Sequence, residues 1–373
     1  MFFVWTLIPA LYVIIRFIWP LSLPVLARLA LSVIPIVASE YHLISRVFFD
    51  NMFSPEWPKG VMYLQGWLFG GIVLFAGLLL LRDVVSILSR LLLKRRLPVN
   101  ASGMLMLFIA MVLAAIGVKQ AGDIPAVRTV EVKIDNLPPA FDGFKLVQLT
   151  DIHASRLLAR EWVSQVVDIT NDLRPDLIVL TGDLSDGTVD RRYRDVEPLS
   201  RLRAPAGVYA ITGNHEYYFD YEKWLQTFKQ LNLPFLHNSH VRIARGDESI
   251  VLAGLNDESA QRVHEKGPDI DAALAGTQPD DTVILLSHRP GPAQAYAKHH
   301  VALQLSGHTH GGMIRGLDLL VGPANNGFVS GRYQVDDMTL YVSNGTGLWN
   351  GFPLRLGRPS EITEIVLRRG DKG

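Results

Sequence analysis

Residues 60–81 form a run of 22 residues without a single charged side chain. The hydrocarbon core of a bilayer is crossed by roughly 20 residues of α-helix, and a chain in lipid has to satisfy every backbone polar group internally. The run therefore reads as a membrane-spanning helix, and so does a second uncharged stretch of 18 residues, 101–118. Upstream, residues 1–15 carry no charge and continue as Phe17-Ile18-Trp19, while 24–39 is interrupted only by Arg28. These two read as a shorter helical hairpin turning at "WPLSLP". A cleaved signal peptide fits less well, because no basic residue precedes Arg16 and no small-residue cleavage site follows. The expectation is a membrane region over residues 1–122 with about four transmembrane helices.

Loop charge sets its orientation. Residues 82–100, read as a loop, carry Arg82, Arg90, Lys94, Arg95 and Arg96 against the single acid Asp83, so this side is expected to be cytoplasmic. Residues 40–59 balance Arg46 and Lys59 with Glu40, Asp50 and Glu56, which suits the opposite side. Arg16 and Arg28 flank the first turn. Four spans then put the carboxyl-terminal domain on the extracytoplasmic side of a multi-pass inner (cytoplasmic) membrane protein.

The mean hydropathy of +0.19 is high for a soluble chain, and the excess lies before residue 122. Thirty-six basic residues balance 36 acidic ones, which gives no support to a nucleic-acid partner. There is no cysteine, so disulfides and thiolate metal sites are excluded and any metal must take nitrogen and oxygen ligands.

After "QAGDIPAVR" the composition becomes that of a globular domain, residues 123–373. "FKLVQLT" (144–150), "DLIVLTG" (176–182), "GVYAITG" (207–213), "TVILLS" (282–287) and "VALQLSG" (301–307) have the length of buried strands, with "SIVLAGL", "TLYVSNG" and "EITEIVL" as further ones. Arg160 to Leu173 places Trp162, Val163, Val166, Val167, Ile169 and Leu173 mostly along one helical stripe, and a second helix is expected from Tyr221 to Leu231. This order predicts an α/β sheet covered on both faces.

Each of the five main runs ends in metal-type residues: Asp151-Ile152-His153, Gly182-Asp183, Gly213-Asn214-His215-Glu216, Ser287-His288, and "GHTHGG" with His308 and His310. In open α/β sheets the carboxyl ends of strands share one edge, where ligands bind. The clusters should therefore meet. Aspartate, asparagine and imidazole donors suit manganese, iron, zinc or cobalt. Seven ligands are too many for one ion and suit two that share a carboxylate.

The series "DIH", "GDL", "GNHE", "SH" and "GHTHGG", in this order and each after a strand, resembles the calcineurin-like metallophosphoesterases, in particular their bacterial membrane-attached branch. The resemblance covers about residues 127–367. It implies a four-layer α/β/β/α sandwich with two divalent metal ions. Matched by position, Asp151, His153 and His310 would hold the first ion, Asn214, His288 and His308 the second, and Asp183 would bridge them. His215 would be the general acid or transition-state stabiliser. Met313, where this branch often has glutamine, departs from the pattern and bears on substrate contacts. Two cations about 3.5–4 Å apart would polarise phosphoryl oxygens and lower the pKa of a bridging water for in-line attack.

Other residues fall outside the pattern. His42, His237, His240, His264, His299 and His300 read as surface or packing residues. Glu216 reads equally as a site-orienting carboxylate or as a helix N-terminal acid. Arg315, Arg332 and Arg355 are candidates for phosphate contact but equally for solvated ion pairs. The sequon-like Asn100-Ala101-Ser102 and Asn344-Gly345-Thr346 carry no weight.

The leading reading is a membrane-anchored, dinuclear metal-dependent phosphoesterase, cleaving a phosphoester (a phosphodiesterase reaction included) or a pyrophosphate in a phosphorylated small-molecule or lipid-linked substrate. A pyrophosphohydrolase acting on a UDP-diacylglucosamine-type substrate of lipid A synthesis is the runner-up; that work would be cytoplasmic, against the expected topology. A non-catalytic membrane-bound binding module would be expected to have lost ligands. A transporter is disfavoured, since neither confident span contains a carboxylate.

Overall fold

A computed structural model describes residues 2–94 and 102–370. The chain divides into two compact units, one of residues 1–122 with 350–356 and the other of residues 123–349 and 357–373.

The helical unit contains α1 (Phe2–Val13), a π-helical turn (Ile14–Ile18), α2 (Val25–Ser39), α3 (Tyr41–Phe49), α4 (Lys59–Leu93) and α5 (Gly103–Gly122). Among the described residues two helices, α4 and α5, are long and apolar enough to cross a membrane. The bent pair α2 and α3, kinked by 60°, counts as a third if taken as one span, and α1 with its π-helical turn is apolar but shorter. Against the expected four, length and composition thus support two or three. Helix α4 runs 12 residues past the uncharged run, so Arg82, Asp83 and Arg90 are helical and not in a loop. The reason is local: Tyr12 Oη and Arg16 Nε both donate to Asp83 Oδ2 at 2.6 Å and Arg82 Nη2 donates to Oδ1 at 2.9 Å, which satisfies the carboxylate without ending the helix. Residues 40–59, read as a loop, contain α3. Arg95 and Arg96 lie outside the described residues. Small residues let α4 and α5 approach, as at Gly71, where a Cβ would collide with Met111 Sδ. Residues 350–356 group with these helices: Gly351 O accepts from Tyr41 Oη and contacts His42 Nε2 at 2.6 Å, and Arg355 N donates to Gly117 O at 3.0 Å.

Among the described residues the second unit holds eleven strands in two sheets. They are β1 (Ala126–Ile134), β2 (Lys145–Leu149), β3 (Leu177–Thr181), β4 (Val208–Ile211), β5 (Ser239–Arg245), β6 (Glu248–Gly254), β7 (Val283–Leu286), β8 (Val301–Ser306), β9 (Gly331–Val335), β10 (Met338–Val342) and β11 (Glu361–Arg369). One sheet has the order β1-β11-β2-β3-β4 and the other β5-β6-β7-β8-β10-β9. Their facing sides form one core, in which Leu146, Val179 and Ile211 of the first sheet meet Leu252, Ile284 and Leu303 of the second. The outer face of the first sheet is covered by α6 (Arg160–Asp172), α7 (Val189–Val196) and α8 (Tyr221–Gln230), which bury Trp162, Val163, Val166, Val167, Trp224 and Phe228. Those α6 positions recur at i, i+1, i+4 and i+5, the stripe a 3.6-residue period presents to one side. The helix stops where Arg174 turns left-handed at φ +51° ahead of Pro175. The outer face of the second sheet is covered by short turns around Ala273, Ala293 and Tyr296 rather than long helices. The result is the expected α/β/β/α layering, with a thin fourth layer.

Register delivers the site. Strands β2, β3 and β4 are parallel and nearly in step, Leu149 opposite Leu180 and Thr181 opposite Ile211. In the other sheet β7, β8 and β10 are parallel, Leu286 opposite Leu305 and Val342 opposite Ser306. All these carboxyl ends lie along one edge of the layered core.

Candidate metal centre

Past those ends the backbone takes an unusual path. Asp151, His153, Asp183, His308 and His310 all have positive φ, between 47° and 69°. Left-handed conformations are uncommon for residues with a Cβ, although Asp, Asn and His tolerate them better than most, and they persist only where surrounding structure enforces them. Here the enforcement is visible. Asp183 and Leu184 donate their N–H to the Glu216 carboxylate at 2.9 and 2.7 Å, and Gly213 N–H joins them at 2.7 Å. His308 N–H donates to Asp151 Oδ1 and Oδ2 at 3.1 and 3.0 Å. Gly307 and Gly213 make the approach feasible, since a Cβ on either would collide with the Asp151 or Asp183 carboxylate.

Three groups of side chains converge as a result. Asp151, His153 and His310 offer ligand atoms within 4.8 Å of one another, and so do Asp183, His288 and His308. Asp183 Oδ2 faces both sets, 3.7 Å from His153 Nε2 and 3.3 Å from His288 Nε2. Asn214 Oδ1 lies 3.2 Å from His288 Nε2, its amide nitrogen donating to Tyr218 Oη. The seven residues expected as ligands are thus brought together around Asp183.

The third group, His153, Asp186 and His215, is of a different kind. Asp186 Oδ1 sits 2.9 Å from His153 Nδ1 and 2.6 Å from His215 Nδ1. These are hydrogen-bond lengths, so one carboxylate oxygen accepts from two imidazoles and fixes the tautomer of both. His288 is fixed likewise, with Nδ1 against Thr181 O at 2.8 Å.

Two observations test whether this cluster fits metal. His153 Nε2 is buried with no hydrogen-bond partner, although Asp151 Oδ1 and Asp183 Oδ2 lie only 3.8 and 3.7 Å away. A buried polar atom left unpaired among carboxylates at those separations is what a shared cation resolves, since two ligands at about 2.0–2.2 Å from one ion stand about 3–3.5 Å apart. The second is electrostatic. Burial opposes the charge on Asp151 and Asp183, yet the facing imidazoles, His310 and His153 at one and His288 and His215 at the other, outweigh it and hold both carboxyls below the usual range. Burial and the neighbouring His288 and Arg289 charges push His308 down to about 3. The donor set fits a divalent pair.

Asp186 escaped the sequence reading; its only signal is a second acid three residues after Asp183 in "GDLSD". Burial opposes its charge, but His153 and His215 bring it down to about 2. Glu216 proves to be a site-orienting residue. The arginine beside the cluster is none of the three singled out: Arg289 Nη1 is 3.1 Å from His308 Nε2, with its guanidinium held by Asp257 at 2.7 Å. Arg315 is exposed, Arg332 donates to Glu131 O, and Arg355 belongs to the segment grouped with the helices. None of the six other histidines joins a metal-type group among the described residues: His42 lies against Gly351 O, His237 against Asn256 and His240 against Ala273 O.

Comparison with known proteins agrees with this geometry. A family model described as calcineurin-like phosphoesterase matches residues 144–312, the span that carries all seven expected ligands and His215. A bovine (Bos taurus) protein named "Transmembrane protein with metallophosphoesterase domain" is 40% identical over 276 residues, 71% of this chain and 62% of the relative. A Danio rerio protein of the same name is 38% identical and also covered over 62%, so the chain spans less than two thirds of these relatives. An uncharacterized metallophosphoesterase of Bacillus subtilis is 33% identical over 247 residues, 64% of this chain and 83% of the relative. With such a relative matched over most of its length, and the family's span ending on the loop of His308 and His310, the chain belongs to the calcineurin-like metallophosphoesterases.

Proposed function

We propose that this protein is a membrane-anchored phosphoesterase that uses two divalent cations to hydrolyse a phosphoester or pyrophosphate bond, with Asp151, His153 and His310 at one cation, Asn214, His288 and His308 at the other, and Asp183 between them. The carrying observation is Asp183 Oδ2, which stands 3.7 Å from His153 Nε2 on one side and 3.3 Å from His288 Nε2 on the other. When bound, the cations supply Lewis-acid chemistry: they neutralise phosphoryl charge and acidify a water. The protein supplies the rest. His215 Nδ1 is held by Asp186, which orients the ring so that Nε2 would give the proton to the leaving oxygen. Arg289, fixed by Asp257 beside His308, adds a guanidinium for phosphoryl oxygens. Helices α4 and α5 support a membrane-resident protein and favour a lipid-linked substrate over a freely diffusing one.

The test is turnover by the full-length protein in detergent. With manganese, iron, zinc or cobalt, it should hydrolyse at least one of bis-nitrophenyl phosphate, nitrophenyl phosphate, a nucleotide-sugar pyrophosphate or a phospholipid, and chelation should abolish the activity. Stoichiometric binding of two metals with no turnover of any of them would replace this proposal with a binding module.

A further inference from the structure

The chain leaves the His310 loop at Met313 and returns to it at Val329. Both ends of this excursion are fixed. Thr309 Oγ1 donates to Val329 O at 2.6 Å, Ile314 bridges to Gly357, and the backbone of Asp318 packs where a Cβ on Gly312 would stand. Within it the short turn Asp318–Val321 holds Leu319 and Leu320 in the open, 78% and 75% exposed. Among the described residues of the α/β unit, the other exposed large apolar side chains are Val127 and Tyr193, at 38% and 42%. Two adjacent leucines this exposed on an otherwise well-buried domain call for an apolar cover.

We propose that this turn inserts Leu319 and Leu320 into the headgroup boundary of a lipid bilayer, with Arg315 at the level of the phosphates. The charges suit that surface. The one acid of the excursion, Asp318, is neutralised by Arg358 at 2.6 Å, while the exposed Arg315 has no ion-pair partner among the described residues, so the excursion presents aliphatic surface and net positive charge. A cavity of about 420 Å³ adjoins it, lined by Leu319, Val329, Tyr333, Ser330 and the paired Asp318 and Arg358, so that aliphatic and aromatic surface stands beside hydroxyl and guanidinium donors for a phospholipid headgroup.

The chain also supplies its own bilayer. Three residues, Asp123–Pro125, connect the apolar α5 to β1 in sequence. Insertion of this turn requires neither bound metal nor turnover.

The absence of cysteine makes the test clean. Leu320→Cys in the full-length protein, labelled with an environment-sensitive nitrobenzoxadiazole and reconstituted into vesicles of phosphatidylethanolamine and phosphatidylglycerol, should emit to the blue of the same label at Tyr193→Cys. It should be quenched by lipids carrying a nitroxide near the headgroup, and aqueous iodide should quench it about fivefold less than the label at position 193. Equal iodide quenching at both positions would overturn the proposal by leaving the turn in water. Shielding from iodide without quenching by nitroxide lipid would overturn it in favour of a protein cover, a second copy included.

Discussion

Replacing Asp186 by Asn should lower both metal affinity and turnover, although Asp186 is expected to touch neither a cation nor the substrate. Its Oδ1 accepts from His153 Nδ1 at 2.9 Å and from His215 Nδ1 at 2.6 Å, and the side chain is fully buried. An amide keeps the shape and loses the charge. Each bond then falls from the charge-assisted class, about 1.5–3 kcal/mol, to the neutral class, about 0.5–1.5 kcal/mol, a loss of roughly 1–1.5 kcal/mol apiece. On the His153 side that is about a tenfold weaker cation site, within the 10–100-fold range for residues that orient a ligand. On the His215 side the ring loses the charge-assisted bond that orients it, which costs about another tenfold in turnover. Turnover at saturating metal should therefore fall about 10-fold with alkoxide leaving groups and little with nitrophenolate, while at limiting metal the two losses multiply to about 10². The decisive assay is a double-mutant cycle with His215→Gln at saturating metal. If Asp186 acts through His215, the second substitution adds almost nothing to the alkoxide effect. Fully additive losses, or a variant with wild-type metal affinity, would refute the reasoning.

Four further outcomes follow from the same geometry. Asp183→Asn should reduce metal content at both positions, measured by elemental analysis; two tightly bound ions per chain would remove Asp183 from the bridge. His215→Gln should keep the fold and both metals while turnover falls by about 10²–10⁴, more for alkoxide than for nitrophenolate leaving groups; loss of metal would make it a ligand instead. Glu216→Ala strands the N–H groups of Asp183, Leu184 and Gly213 in a buried pocket, and at about 1–3 kcal/mol for each unpaired donor it should lower stability by about 3 kcal/mol or more in thermal melts. Reporter fusions after Gly373 should be active outside the cytoplasm, in keeping with the basic residues between 82 and 96; cytoplasmic activity alone would invert the topology.

The ligand-type residues were legible because each closes an apolar run, and parallel strands in register carry their ends to one edge. Asp186 was not, because its role arises from a distance between two loops, the one after β3 and the one after β4, that no local pattern encodes. Strand β1 was passed over because its first residues, Ala126 to Thr129, are exposed and only Val130, Val132 and Ile134 turn inward. Likewise α7 carries six charged or aromatic side chains in eight residues and buries just Arg192 and Val196, too little for a stripe. The end of α4 was misread as a loop because charge was taken to stop a helix, whereas Asp83 finds Tyr12, Arg16 and Arg82 around it.

Five of the seven proposed ligands sit in left-handed backbone, where glycine would be at ease and an aspartate or histidine is held at a cost of about 1 kcal/mol or more. These loop shapes are held by the hydrogen bonds from Asp183, Leu184 and Gly213 to Glu216 and from His308 to Asp151. A glycine at Asp151, His153, Asp183, His308 or His310 would relax the backbone and delete the donor in the same stroke. Selection for heat resistance alone would push this chain toward an inert version of itself, and any programme to harden it should leave those five positions untouched and work on the strands behind them.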